Sequence, residues 1–112
     1  MFQSSNLTAR KRLPDRRTHE IIAFEHDGFR YLASVGRFPD GKIGEVFLNA
    51  NKLGTAIETQ ARDLAIVTSL YLQHNGSLQT LRGALTRNPD GSASGVLGRL
   101  LDLLAANDSS TP

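Results

Sequence analysis

Residues 19–35 read His-Glu-Ile-Ile-Ala-Phe-Glu-His-Asp-Gly-Phe-Arg-Tyr-Leu-Ala-Ser-Val, and this stretch decides the fold. Within it, Ile22 and Phe24 alternate with polar or small residues, as expected for a strand with one buried face. The Asp27-Gly28 dipeptide is favoured in tight two-residue hairpin turns, because both turn positions require positive φ. The stretch therefore predicts two antiparallel strands joined by a tight turn.

The second predicted strand has two distinct faces, because side chains alternate along a strand. One face carries Tyr31, Ala33 and Val35, and the other carries Arg30, Leu32 and Ser34. Residues 39–41, Pro-Asp-Gly, predict the next turn, since proline presets its first position and glycine tolerates positive φ. Residues 45–49 then predict a third strand, which completes a meander.

The pattern changes to a helical period after residue 54. Thr55 and Glu58 have the spacing of a capping box, so a helix is predicted to begin there. Apolar positions follow a helical period from Ile57 to Leu72, and residues 64–67 are apolar on every side. This pattern predicts a buried central helix, with Leu64 and Ile66 in the core.

Two shorter helices are predicted after the central one. Asn75-Gly76 is typical of a helix end, and Ser77 can cap a helix that contains Leu78, Leu81 and Leu85. Residues 88–91, Asn-Pro-Asp-Gly, predict a break before a last helix over residues 96–104. Strands grouped before helices indicate the α+β class: a three-stranded antiparallel meander followed by three helices packed on one face of the sheet.

The composition indicates one soluble domain. A chain of 112 residues with 39% hydrophobic and 21% charged residues is ordinary for a globular protein. It contains no cysteine, which excludes a disulfide framework, a thiolate metal site and a thiol nucleophile. No apolar run is long enough to span a bilayer or to form the core of a signal peptide. We therefore expect a cytoplasmic protein without a membrane partner.

The positive charge of the chain is concentrated in its first 17 residues. Five basic residues oppose only Asp15 there, so this segment carries +4, and the rest must carry −2 because the whole chain carries +2. The basic residues are Arg10, Lys11, Arg12, Arg16 and Arg17. We predict a flexible basic arm over residues 1–18, a single domain over 19–106 and a disordered tail over 107–112. The arm is either a binding site for an anionic partner or a solvated tail.

Few residues of the sequence indicate a catalytic, metal-binding or ligand-binding role. No serine lies in a Gly-x-Ser-x-Gly elbow, and the three histidines lack the spacing that directs two imidazoles at one metal. We therefore predict no catalytic residue, no metal site and no cofactor. Lys52, Gly54 and Thr55 are candidates for phosphate or nucleotide binding at a helix N-terminus, although helix capping alone also explains Thr55. Glu45 and Asp63 are candidate functional polar residues, and Asp63 can equally belong to the polar side of its helix.

The chain resembles the TSCPD domain, found toward the C-terminus of adenosylcobalamin-dependent (class II) ribonucleotide reductases and in small stand-alone bacterial proteins. The resemblance rests on short segments in a specific order: residues 12–17, 36–41, 45–48, 52–55, 63–66, 69–73, 81–85 and 98–102. The Thr-Ser-Cys-Pro-Asp signature that names the domain is absent. The helix end also differs, because Gly76 lies one position later than the family pattern expects.

The resemblance implies a link to deoxyribonucleotide supply. In the family, reduction relies on a thiyl radical and a cysteine pair carried by a large barrel, and this chain has no cysteine. It therefore implies a non-catalytic accessory or regulatory module that docks on a reductase large subunit or senses a nucleotide. The alternative is a stand-alone interaction protein that binds nucleic acid or another protein through the basic arm. A strand edge or the leucines of the last helix could each support a dimer.

Overall fold

The computed structural model describes residues 9–15, 18–51 and 55–109, and its elements follow the predicted order. Three strands come first: β1 (His19–His26), β2 (Phe29–Arg37) and β3 (Ile43–Ala50). Three helices follow: α1 (Ala56–Gln73), α2 (Leu78–Ala84) and α3 (Val96–Ser109). The strands pair antiparallel in the order β1-β2-β3, and the helices pack on the sheet. The predicted α+β meander is therefore confirmed.

The turns between the strands form where the sequence predicts them. Asp27 and Gly28 both have positive φ, 51° and 81°, and they join His26 to Phe29 in a two-residue hairpin. Gly41, at the end of the second predicted turn, has a φ of 88°. Because only small or polar residues adopt this conformation readily, these positions fix the pairing register of all three strands.

The core lies between the inner face of the sheet and the helices. The strands contribute Tyr31, Ala33 and Val35 from β2, with Phe24, Val46 and Leu48 from the neighbouring strands. Helix α3 contributes Leu97, Leu100, Leu101 and Leu104, all of which are buried. The leucines of the last helix are therefore committed to the core of this chain.

Helix α1 lies along the outer edge of β3. The Ser69 hydroxyl accepts a hydrogen bond from the Val46 amide at 2.8 Å and lies 3.0 Å from the Val46 carbonyl oxygen, to which it donates. The Gln73 side-chain amide donates to the Gly44 carbonyl at 2.9 Å. These residues lie one turn apart on α1, so the helix supplies hydrogen-bond partners to a strand edge that has no neighbouring strand.

The expectation that Leu64 and Ile66 belong to the core is wrong. Their exposed fractions are 38% and 57%, and that of Val67 is 65%. The buried side of α1 is instead formed by Leu72 and by four small or polar residues: Ala61, Ala65, Thr68 and Gln73. Because α1 packs closely against a strand edge, small residues occupy the contact and the larger apolar residues face outward.

The helix ends agree with the predicted signals. The Thr55 hydroxyl accepts a hydrogen bond from the Glu58 amide at 3.3 Å, which caps α1. After α1, Asn75 adopts positive φ at 72°, and the Ser77 hydroxyl caps α2 by accepting from the Thr80 amide. A Cβ added at Gly76 would collide with the Tyr71 ring, so only glycine fits at this junction.

A half-buried carboxylate joins the last two helices. Asp102 on α3 accepts hydrogen bonds from Arg87 at 2.6 and 2.7 Å and from Arg82 on α2 at 2.8 Å. The hydrogen bonds from Arg87, and then those from Arg82, lower the pKa of Asp102 to about 2. None of the described helices is long and apolar enough to cross a membrane.

Candidate functional site

A groove of about 490 Å³ follows the seam between β3 and α1, and we call it the β3–α1 groove. Its apolar wall contains Phe47 from the outer face of β3 and Ala65, Ile66 and Leu70 from α1. Phe47, Ile66 and Leu70 are substantially exposed. The groove therefore presents apolar surface of the kind that marks binding sites in soluble proteins.

The groove continues into a polar cavity beside the arm. This second cavity, of about 640 Å³, shares Arg10, Glu45 and Gln73 with the groove and is also lined by Arg12 and residues 13–15. An apolar section and a charged section thus adjoin each other. The charged section holds two arginines, Arg10 and Arg12, and two carboxylates, Asp15 and Glu45, so a ligand that binds along both sections would combine apolar groups with polar or charged groups.

Gln73 connects the arm to the body of the protein. Its side-chain oxygen accepts a hydrogen bond from Arg10 Nε at 2.6 Å, and its backbone carbonyl accepts from the Lys11 amide at 2.6 Å. Its side-chain nitrogen donates to β3 through Gly44. With an exposed fraction of 3%, Gln73 is buried, so its bond to Gly44 is shielded from water and its bond to Arg10 is partly shielded.

Glu45 lies at the same end of the groove and is also buried, with an exposed fraction of 9%. Its carboxylate is 3.3 Å from His19 Nε2, while His19 Nδ1 is 2.8 Å from the Ser34 hydroxyl. A Cβ at Gly36 would lie 2.8 Å from the Glu45 carboxylate, so glycine makes room for this pair. His19 also stacks on Phe47, with ring centroids 6.0 Å apart.

Lys11 anchors the arm at a second point. Its ammonium lies 4.3 Å above the centroid of the Phe38 ring and 3.6 Å from the Asp40 carboxylate. The Lys42 backbone amide, and also the Lys11 charge, lower the pKa of Asp40. The sequence predicts that the domain starts near His19. In the structure, Arg10 and Lys11, which precede that position, also contact residues of the domain.

The structure brings together three of the candidate residues: Arg10, Arg12 and Glu45 line the same cavity. Thr55 lies apart from them at the N-terminus of α1, and Asp63 lies exposed on α1. Arg16, Arg17, Lys52 and Gly54 lie outside the described residues. The roles assigned to all of these residues stay predictions.

Sequence reasoning missed Gln73 and the apolar wall of the groove. The available signal was the four-residue spacing of Ala61, Ala65, Ser69 and Gln73, which places small and polar residues on one side of α1. Within the described part of the chain, no group of three His, Asp or Glu side chains could hold a metal ion. The arrangement is suited to binding, since it combines apolar surface with buried polar groups and arginines.

Comparison with known proteins finds relatives that share one name. The vitamin B12-dependent ribonucleotide reductase of Agrobacterium fabrum is 34% identical over 77 residues, which are 69% of this chain and 6% of that protein. The enzyme of the same name from Bradyrhizobium diazoefficiens is 31% identical over 77 residues, again 69% of this chain and 6% of that protein. The chain is similar to a short segment of these reductases.

The same relationship extends to Rhodopirellula baltica, whose vitamin B12-dependent ribonucleotide reductase is 35% identical over 75 residues, or 64% of this chain and 7% of that protein. The chain thus spans only a small fraction of the relatives that it matches. No protein-family model matches the chain, and no solved structure matches it. The expected relationship to cobalamin-dependent reductases is supported at the level of a shared segment.

Proposed function

We propose that this chain is a TSCPD-type, non-catalytic accessory or regulatory module of ribonucleotide reduction. The observation that carries the proposal is its similarity to a segment of vitamin B12-dependent ribonucleotide reductases over 77 residues. That segment forms about 6% of each relative, so most of the reductase has no counterpart in this chain. The proposed role is therefore to assist or regulate a reductase that is a separate polypeptide.

The absence of cysteine supports a role without catalysis by this chain. The family chemistry implied by the resemblance uses a thiyl radical and a cysteine pair, and none of the 112 residues is cysteine. Purified chain should therefore show no ribonucleotide reduction above background, with or without adenosylcobalamin. Turnover by a preparation free of host reductase would contradict this role.

The β3–α1 groove is the proposed docking surface for the reductase. Ile66 and Leu70 give it an apolar wall, and Arg10 and Arg62 outnumber its one carboxylate, Glu45. Arg12 lies in the adjoining cavity together with Asp15. Among the described residues, Arg12 has no hydrogen-bond or ion-pair partner, and Arg62 has only Glu58 at 3.9 Å. This surface fits a reductase segment with apolar and acidic side chains, because each of its features would then be paired.

The test is a binding titration between the immobilised chain and purified vitamin B12-dependent ribonucleotide reductase. We expect saturable binding that Ile66→Asp weakens at least about tenfold, since it places a charge in an apolar contact. Val67→Asp is the matched control, because Val67 is equally exposed but does not line the groove. Absence of binding, or equal loss in both variants, would contradict the proposed docking surface.

The alternative of nucleic-acid binding through the arm makes a different forecast. Affinity for a phosphate backbone falls steeply as salt concentration rises, whereas an interface with an apolar centre depends on salt less. Arg10 and Lys11 already bond to Gln73, Phe38 and Asp40, which favours protein docking over a free basic arm. Titration of duplex and single-stranded DNA at two salt concentrations separates the two functions.

A further inference from the structure

The outward edge of β1 carries unpaired backbone groups. The two-residue hairpin makes His26 and Phe29 a hydrogen-bonded pair, and such pairs alternate along antiparallel strands. The residues of β1 whose amide and carbonyl groups point away from β2 are therefore His19, Ile21, Ala23 and Glu25. Among the described residues, no backbone hydrogen bond reaches these groups from another segment.

The centre of this edge lacks the usual protection against strand pairing. Natural edge strands are commonly protected by lysine, proline or an inward-pointing charge, and residues 21–24 are Ile-Ile-Ala-Phe. Ile21 is 70% exposed, and Ala23 beside it is also exposed. The charged and imidazole side chains lie only at the ends of the strand. The edge is therefore suited to accept another strand.

We propose that β1 pairs antiparallel with β1 of a second copy of this chain, which joins two sheets into one six-stranded sheet. Pairing requires residues on the same face to oppose each other, so four registers centre on the apolar residues. These registers place Ile21, Ile22, Ala23 or Phe24 opposite its own copy. Only the register centred on Ile22 pairs all four outward-pointing residues.

The same register is compatible in side-chain chemistry for two copies of this strand. No carboxylates oppose each other in it, because Glu25 of the second copy lies opposite His19 and Glu20 lies opposite Phe24. It also places Ile21 opposite Ala23, so the apolar centres meet.

The other predicted dimer surface is occupied within the chain. Four of the five leucines of α3 are buried, with Leu100 and Leu101 fully inaccessible, and the fifth, Leu103, is half-buried against the core, so this helix offers no leucine stripe to a second copy. The edge of β3 is also covered, because Ser69 and Gln73 bond to it. Of the two sheet edges, β1 is therefore the one that can pair with another copy. This inference does not depend on the proposed role in ribonucleotide reduction.

The first test measures mass by light scattering and sedimentation over a hundredfold range of chain concentration. We expect a reversible monomer–dimer equilibrium, which Ala23→Pro abolishes by removing an outward-pointing N–H. Ala23→Val keeps that N–H and favours a strand, so it should retain the dimer. A parent chain that stays monomeric throughout, or a folded Ala23→Pro variant that still dimerises, would overturn the proposal.

The second test uses the absence of cysteine in the parent chain. In the proposed register, Ile22 opposes itself at about 4.5 Å between Cα atoms, within the range for a disulfide. Ile22→Cys should therefore form cross-linked dimers under mild oxidation, whereas Ile21→Cys and Ala23→Cys should not. Cross-linking of Ile21→Cys or Ala23→Cys instead would reject this register, and equal, slow cross-linking of all three would reject the β1 interface. The cross-linking test does not depend on whether the Ala23→Pro variant folds.

Discussion

The two edges of the sheet present similar backbone groups and have different surroundings. At β3, Ser69 bonds to both backbone groups of Val46, and Gln73 bonds to the Gly44 carbonyl. At β1, no described element covers the equivalent groups of Ile21 and Ala23. The difference teaches that side chains of a helix can satisfy the backbone groups of a sheet edge, which leaves the opposite edge as the one open to another strand.

Proline substitution on the two edges should give the largest contrast. Val46→Pro removes an amide that donates to Ser69 and disturbs a buried side chain, so we expect a loss of more than about 2 kcal/mol in stability. Ala23→Pro removes an outward amide at an open edge and should change monomer stability by less than about 0.5 kcal/mol. Chemical denaturation at low chain concentration measures both values, and equal losses would mean that the edges do not differ.

Gln73→Ala should have the next largest effect. It leaves the Gly44 carbonyl without its partner and releases Arg10, which should cost about 1 to 3 kcal/mol in stability. Gln60→Ala, at an exposed position on the same helix, is the control and should cost almost nothing. Trypsin should also cleave at Arg10 and Arg12 faster in the Gln73 variant. Unchanged stability and cleavage would show that the arm does not depend on Gln73.

Acidification tests a region away from both edges. The pKa of Asp102 is lowered to about 2 by Arg87 and Arg82, so the unfolded chain binds a proton at higher pH than the folded chain. The stability from this group is therefore complete above about pH 4 and is lost as the pH falls toward 2. Asp102→Asn should flatten this part of the stability profile, measured by thermal melting. Gln73→Ala is the control, and its melting temperature should depend on pH between about 4 and 2 as steeply as that of the parent chain.

Leu64→Ala should have the smallest effect among the predicted losses of stability on α1 and α3. Burial in the core would predict a loss of about 2 to 5 kcal/mol, but a side chain that is 38% exposed should cost about 1 kcal/mol. Leu100→Ala, fully buried on α3, is the matched comparison and should show the full core penalty. Similar losses in both variants would place Leu64 in the core after all.

The strands and their turns were predictable because their signals are local. Alternation of Ile22 and Phe24 and positive φ at Asp27 and Gly28 depend only on neighbouring residues. The caps formed by Thr55 and Ser77 are local in the same sense. The fold class followed from these signals and the order of the elements.

The side of α1 that faces the sheet was not predictable from apolar residues alone. The run from Leu64 to Val67 indicated burial on every side, whereas the helix packs through Ala65 and Ser69 against a strand edge. The contact between Arg10 and Gln73 joins residues 63 positions apart, and no local pattern contains it. The groove therefore became visible only when β3, α1 and the arm were placed together.

The chain order of the meander has a consequence for synthesis on the ribosome. Each strand pairs with its predecessor, so the sheet can form before α1 emerges. At about 5 to 20 residues per second, the 18 residues of α1 take about one to four seconds to translate. During this interval the edge of β3 is as bare as that of β1. Slow codons read after β3 has left the ribosome and before α1 has left it should therefore increase misassembly of nascent chains, and slow codons read earlier should not.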